Sequence, residues 1–446
     1  MTPAVETAIL EPPAGFFSSL KFLGPGFILS AAIVGSGELI ATTALGARAG
    51  FVLLWVVLVS CTMKVAVQLE YGRYAIAHGR ASLEAWNATA GPRAAGVHWS
   101  VYAGLLFLFS TFIGAGGILG SAAQVLGYAF PRLPLPVCAA ALAAAASLLV
   151  FHGRYGPVEL IAGVLNAVFL GAVLYTNGAV LGTPYAYGLR DLLSGLTFRL
   201  PPEGWTLALA VIGITGVGAG EIVMYPSWCL EKGYAAFVGP ADGSPEWVRR
   251  ARGWTRVMRI DALLSLAVYT TATCGFYLLG AAVLRPQGAV ADGSALVWQL
   301  SATFTRVLGE GSRGVFMVCA LTVLFGTLFS NTAGLSRLWA DVFGICRIIE
   351  PGDRRQRRRA IAALAWVLPA TWAATFLLVR KPLFMVVFMG ISNALFLLVV
   401  AWQALVFRYR HTDARLEPGR VYDAALWLSI LLIGFAAARI VQSAAG

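Results

Sequence analysis

Val34-Gly35-Ser36-Gly37-Glu38-Leu39-Ile40 and Val217-Gly218-Ala219-Gly220-Glu221-Ile222-Val223 are two copies of one phrase, V-G-x-G-E followed by two aliphatics. Each lies inside a long apolar segment. Glycine weakens a helix by about 1 kcal/mol relative to alanine. An acid at the centre of a lipid-spanning helix costs roughly 2.5–3.5 kcal/mol on insertion scales. Glycine-interrupted apolar segments at matching places in two halves of a membrane chain point to helices broken at the midplane around a solute site. Close helix packing would explain the glycines, but packing does not need the same acid in both copies.

The surrounding composition fits a bilayer. Of 446 residues, 59 % are hydrophobic and 12 % charged, against about 25 % charged in soluble domains. With about 20 apolar residues per crossing, eleven spans are expected near 24–47, 51–78, 98–130, 134–152, 156–183, 205–230, 257–284, 312–344, 360–379, 383–407 and 421–443. A polar, proline-bearing stretch (residues 1–19) precedes them and has no cleavage-site pattern, so it reads as a cytoplasmic tail and not a signal peptide.

The net charge of +12 is distributed by loop. Arg249, Arg250, Arg252, Arg256 and Arg259 fall between spans six and seven, Arg354, Arg355, Arg357, Arg358 and Arg359 between eight and nine, and Arg408, Arg410, Arg415 and Arg420 between ten and eleven. Such alternation is a topogenic signal, not a nucleic-acid footprint. It predicts a multi-pass protein of the inner (plasma) membrane with the N-terminus cytoplasmic and the C-terminus outside. The expected partners are the lipid bilayer and a small inorganic ion, with no nucleic acid and no obligatory protein partner.

Cys61, Cys138, Cys229, Cys274, Cys319 and Cys346 show no paired spacing and read as small packing residues. There is no H-E-x-x-H, P-loop or G-x-S-x-G phrase, and none of the four histidines falls in the middle of a span. The chain is not expected to be an enzyme, nor to carry a metal centre or organic cofactor.

From Glu38 to Glu221 is 183 residues, an interval holding five spans. An odd number per repeat inverts the second copy, which is the five-plus-five arrangement of LeuT-type transporters with the first and sixth helices unwound. The expected division is a tail (1–19), a first inverted repeat (20–200), a second (201–410), and an eleventh helix with the C-terminus (411–446). Gly24-Pro25-Gly26-Phe27 opening span one, Leu53-Leu54-Trp55-Val56 opening span two, and Leu119-Gly120-Ser121-Ala122 in span three resemble the Nramp family of divalent-metal transporters. The resemblance covers most of the first ten spans. It implies an all-α, LeuT-type fold and secondary transport.

The family's metal-binding motifs are altered here. Nramp proteins carry Asp-Pro-Gly-Asn at the first break, and the matching positions are Gly35-Ser36-Gly37-Glu38. They carry Met-Pro-His in the sixth helix, and here the stretch is Met224-Tyr225-Pro226. One register puts Met224 at the ligand position; the internal repeat puts Glu221 there and is preferred. The third helix, where the family uses acids, has Gly114 and Gly117.

Free N–H groups at a broken half-helix attract negative charge, and glycine lets a ligand approach them. Gly35-Ser36-Gly37 resembles a phrase of amino acid–polyamine–organocation transporters, whose first helix binds a carboxylate this way. Gly35, Ser36, Gly37, Gly218, Ala219 and Gly220 are therefore candidates to hold a small inorganic anion, with bicarbonate the leading reading, and Glu38, Glu221, Met224 and Tyr225 complete the candidate set. The two glutamates leave three roles open: stabilising the half-helix dipoles, binding a coupling cation, or binding a hard divalent cation as substrate. The alternatives to an anion carrier are a Mg2+ or Mn2+ transporter and an amino acid carrier.

Lys64 and Gln68 share a helix face, and Lys64 either compensates a glutamate or snorkels. By the LeuT-type resemblance Thr327, Ser330 and Asn331 are candidate Na+ ligands, and interhelical hydrogen bonding explains them equally. Glu70, Gln124, Asn166, Thr332, Ser392 and Asn393 are further polar groups inside spans. Gly114, Gly116, Gly117 and Gly120 read as a close-packing face.

Overall fold

The structure, a computed structural model, describes residues 9–35, 37–152, 155–199, 205–288 and 295–445. It is helical apart from a two-residue hairpin pairing Arg93–Ala94 with Val97–His98. Two expected spans are broken. TM1a (Pro25–Ile33) ends where Val34 turns extended (φ −73°, ψ 91°), and TM1b resumes in wide turns over Gly37–Thr42 and continues as Thr43–Ala49. TM6a (Trp205–Ile214) stops before Gly216, whose φ of +63° favours glycine, and TM6b (Ala219–Lys232) starts after an extended Gly218. Ser36 lies outside the described residues.

The remaining spans are TM2 (Leu54–Met63 and Val65–His78), TM3 (Trp99–Ala129), TM4 (Leu135–Val150), TM5 (Tyr155–Val180), TM7 (Pro245–Leu279), TM8 (Arg313–Ile345), TM9 (Arg354–Val379), TM10 (Pro382–Val406) and TM11 (Arg420–Ala445). Among the described residues nine helical runs are long and apolar enough to cross a bilayer. The run Gly37–His78 holds both TM1b and TM2, and TM4 is shorter. TM1 and TM6 are enclosed, TM10 packing on TM3 and TM6a, and TM8 on TM3 and TM1a. At the TM6a–TM10 crossing two glycines face each other: a Cβ on Gly213 would strike the Gly390 carbonyl, and one on Gly390 would lie 2.6 Å from the Ala210 carbonyl oxygen. The glycine face of TM3 is a packing surface, Gly114 against Met389 and Gly120 against Phe376.

Several expectations shift. TM7 begins at Pro245 and not at 257, because Ser244 Oγ caps Trp247 N–H (3.1 Å) and Trp247, Val248, Ala251 and Trp254 are buried. TM9 begins at Arg354 under an Asp353 cap. All ten arginines named for those two loops are therefore within these helices. Phe16–Ser19, in the stretch read as tail, and Leu20–Phe22, just after it, are short helical turns bent 68° from TM1a. Ala295–Leu308 is a helix between TM7 and TM8 that the span template omits.

The segment before TM1a meets two basic connections on one face. Leu10 N–H donates to Phe237 O (3.0 Å), Trp254 Nε1 to Leu10 O (2.9 Å), and Arg415 Nη1 to Gly243 O (2.7 Å). TM11 is tied to the bundle by Arg408, which grips Asp423 through two bonds (2.8 and 3.0 Å), and by Tyr422, whose hydroxyl donates to Ala66 O at 2.8 Å and lies 2.9 Å from Glu70 Oε2.

Asp261 of TM7 is fully buried and caps the start of TM1a, accepting N–H bonds from Gly24 (2.9 Å) and Gly26 (2.5 Å). A carboxylate over a helix N-terminus satisfies orphan donors and the dipole together. Asp261→Asn replaces one acceptor with a donor facing an N–H. It is expected to lower stability by about 1.5–3 kcal/mol, read as a lower thermal midpoint of the purified protein.

Candidate transport site between the two helix breaks

A cavity of about 30 Å³ lies between the breaks, walled by TM1, TM3, TM6, TM8 and TM10. That volume suits one or two water-sized groups. Four polar side chains line it: Glu221 of TM6b, Thr327 and Asn331 of TM8, and Asn393 of TM10. All are buried. Gly37 contributes backbone, and the rest of the wall is apolar, including Ile118 and Val386. Glu221 is placed by the extended Gly218, which starts TM6b and puts the carboxylate in its first turn.

The two glutamates have different positions. Glu38 is fully buried, and its carboxylate accepts from Gly35 N–H (3.0 Å) and from Thr273 Oγ1 (3.4 Å). It closes the TM1 break and does not line the cavity. Glu221 lines the cavity.

Two of the main-chain donors offered to an anion are engaged by side chains. Gly35 N–H goes to Glu38 Oε2, and Gly220 N–H to Asn393 Oδ1 (3.3 Å). Gly35 itself is needed because Thr327 Oγ1 occupies the space where its Cβ would be. Gly218 and Ala219 are buried at the start of TM6b, with Gly218 beside the Glu221 carboxylate. These glycines serve the breaks and their capping.

Met224 and Tyr225 depart from the expected site. Met224 Sδ packs into the space beside Gly334 of TM8, and the Tyr225 hydroxyl lies 3.5 Å from Met258 O. Met224 and Tyr225 lie three and four residues along TM6b from Glu221, and neither lines the cavity, whereas Glu221 does. Of the candidate Na+ ligands, Thr327 Oγ1 lies 3.3 Å from the carbonyl oxygens of Ala31, Val34 and Val323, Asn331 lines the cavity, and Ser330 Oγ is buried without a partner.

Lys64 does not snorkel. It is fully buried and donates to Ile212 O (2.7 Å), Thr215 O (2.6 Å) and Ser60 Oγ (3.3 Å). Asn393 had been singled out only as a polar group in an apolar span. Its wall position follows from the Gly213–Gly390 crossing, which brings TM10 onto TM6a. Among the described residues no three His, Cys, Asp or Glu side chains are grouped to hold a metal, and the cysteines are all free.

The family described as natural resistance-associated macrophage protein-like (Nramp) matches residues 26–443. The divalent metal cation transporter MntH of Acidiphilium cryptum is 26 % identical over 313 residues, covering 69 % of this chain and 66 % of its own length. A variant of the manganese transporter of Eremococcus coleocola superposes with a TM-score of 0.68 at 15 % identity, over 96 % of this chain and 88 % of that one. Mhp1, a nucleobase-cation-symport-1 transporter, does so at 0.57 and 15 %, over 95 % and 93 %. These likenesses establish the fold as LeuT-type, a five-plus-five inverted repeat with an eleventh helix added.

Proposed function

The chain belongs to the Nramp family of secondary membrane transporters, and from that premise we propose that it carries a hard divalent cation, Mg2+ or Mn2+, bound at Glu221 between the two breaks. One observation carries this reading. The cavity presents a single carboxylate with the amide side chains of Asn331 and Asn393 and the hydroxyl of Thr327, and no basic side chain lines it. Carboxylate, carbonyl and hydroxyl oxygens suit Mg2+ and Mn2+. Met224 Sδ is packed beside Gly334, and among the described residues Met389 alone brings sulfur to the wall, so oxygen donors outnumber sulfur there. The metal named for the A. cryptum and E. coleocola relatives supports the same class. Bicarbonate fits less well, because Glu38 and Asn393 take two of the amides it would use and the Glu221 carboxylate on the wall would repel it.

Transport proceeds by alternating access, with residues 20–200 and 201–410 as the two repeats and the N-terminus and basic connections on the cytoplasmic side. Na+ enters as the proposed coupling ion at Thr327, beside the Ala31 and Val34 carbonyls.

Proteoliposomes test this directly. Saturable Mg2+ or Mn2+ influx into vesicles holding an indicator is expected, with no internal alkalinisation under a bicarbonate gradient. Replacing Na+ by choline is expected to slow the influx. Alkalinisation without metal entry would overturn the reading.

A further inference from the structure

Lys64 is a buried cation near the helix breaks that metal binding at Glu221 does not use. TM6a ends at Ile214, and the carbonyl end of a half-helix carries partial negative charge. In discontinuous transporter helices that end is where a coupling cation is coordinated. Here the Lys64 ammonium is there instead. Its three donors meet three oxygens, Ile212 O, Thr215 O and Ser60 Oγ. Ser60 and Thr215 complete the nest, Thr215 Oγ1 donating to Ser60 Oγ at 2.7 Å. Among the described residues no carboxylate lies within ion-pair distance of Lys64. The cation is therefore held by the helix end and hydroxyls, as a bound ion would be.

We propose that Lys64 is a tethered cation filling a cation subsite at the carbonyl end of TM6a, and that its charge holds TM6a in the position that shapes the cavity. It is a positioning residue and does not touch the transported ion. The subsite takes a primary ammonium group, and emptying it creates a demand for a free one.

Lys64→Ala removes a fragment the size of n-propylammonium, so that amine is the probe, with 1-propanol as an uncharged control of similar size. At fixed Na+, Lys64→Ala is expected to lose at least ten-fold of the maximal metal flux and to melt at a lower temperature. n-Propylammonium restores both and 1-propanol neither. Lys64→Met, which keeps the volume without the charge, is expected to fold but transport poorly. The flux arm rests on the divalent-cation reading. The melting arm needs no substrate, so failure of that reading and failure of this one are distinguishable. Wild-type flux in Lys64→Met, or equal effects of amine and alcohol on Lys64→Ala, would overturn the proposal. If Lys64→Ala does not survive purification, the flux of Lys64→Met decides.

Discussion

Glu221→Gln is expected to abolish divalent-cation flux while leaving the protein folded. Glu221 is the one carboxylate among the polar side chains of the cavity wall. Its neutral replacement keeps shape and oxygen but removes the charge that offsets the ion's desolvation. Removing one partner of a buried charge pair costs about 3–5 kcal/mol, so affinity should fall by roughly 10²- to 10⁴-fold. Glu38→Gln is the contrast. Its amide oxygen still accepts from Gly35 N–H, and the side chain faces Thr273, not the cavity. Metal influx should persist in this variant, within about ten-fold of wild type. Isotherms of Mn2+ binding to the two purified variants separate the roles, and retained binding in Glu221→Gln would sink the site assignment.

The second large effect concerns the fold. Gly213→Val is expected to prevent TM6a from seating on TM10. The new Cβ meets the Gly390 carbonyl, which is backbone and has no rotamer to yield. Overpacking costs about 1–3 kcal/mol, and a collision with main chain belongs at the top of that range. The readout is the monodisperse fraction after purification, with the thermal midpoint of what survives. Gly171→Ala on TM5 is the control. Nothing lies within 4 Å of its added Cβ, and the exchange should stabilise by about 0.5–1 kcal/mol.

The repeated phrase made the breaks legible before any coordinates, because glycine and a central acid are each expensive in a lipid-spanning helix and occurred twice in register. The spans were legible for the same reason that hydropathy works, since each helix must satisfy its own backbone in lipid. What the phrase hid was the division of labour between its two acids. Gly35-Ser36-Gly37-Glu38 and Gly218-Ala219-Gly220-Glu221 look equivalent as strings. One carboxylate is held at the break by Gly35 N–H with Thr273 of TM7 beside it, while the other lines the wall that Asn393 of TM10 shares. Thr273 and Asn393 are 235 and 172 residues away. Asp261 was missed likewise, its role depending on Gly24 and Gly26 arriving from another helix. Met224 is a candidate only through its resemblance to the family's Met-Pro-His phrase, and its sulfur packs beside Gly334.

The small size of the cavity has a kinetic consequence. An ion in a space of about 30 Å³ arrives nearly bare, having surrendered most of its water shell at the threshold. Mg2+ gives up coordinated water reluctantly, so stripping, and not the rocking of the helices, would govern its turnover. Mn2+, a larger ion of the same charge, should pass faster through the same door.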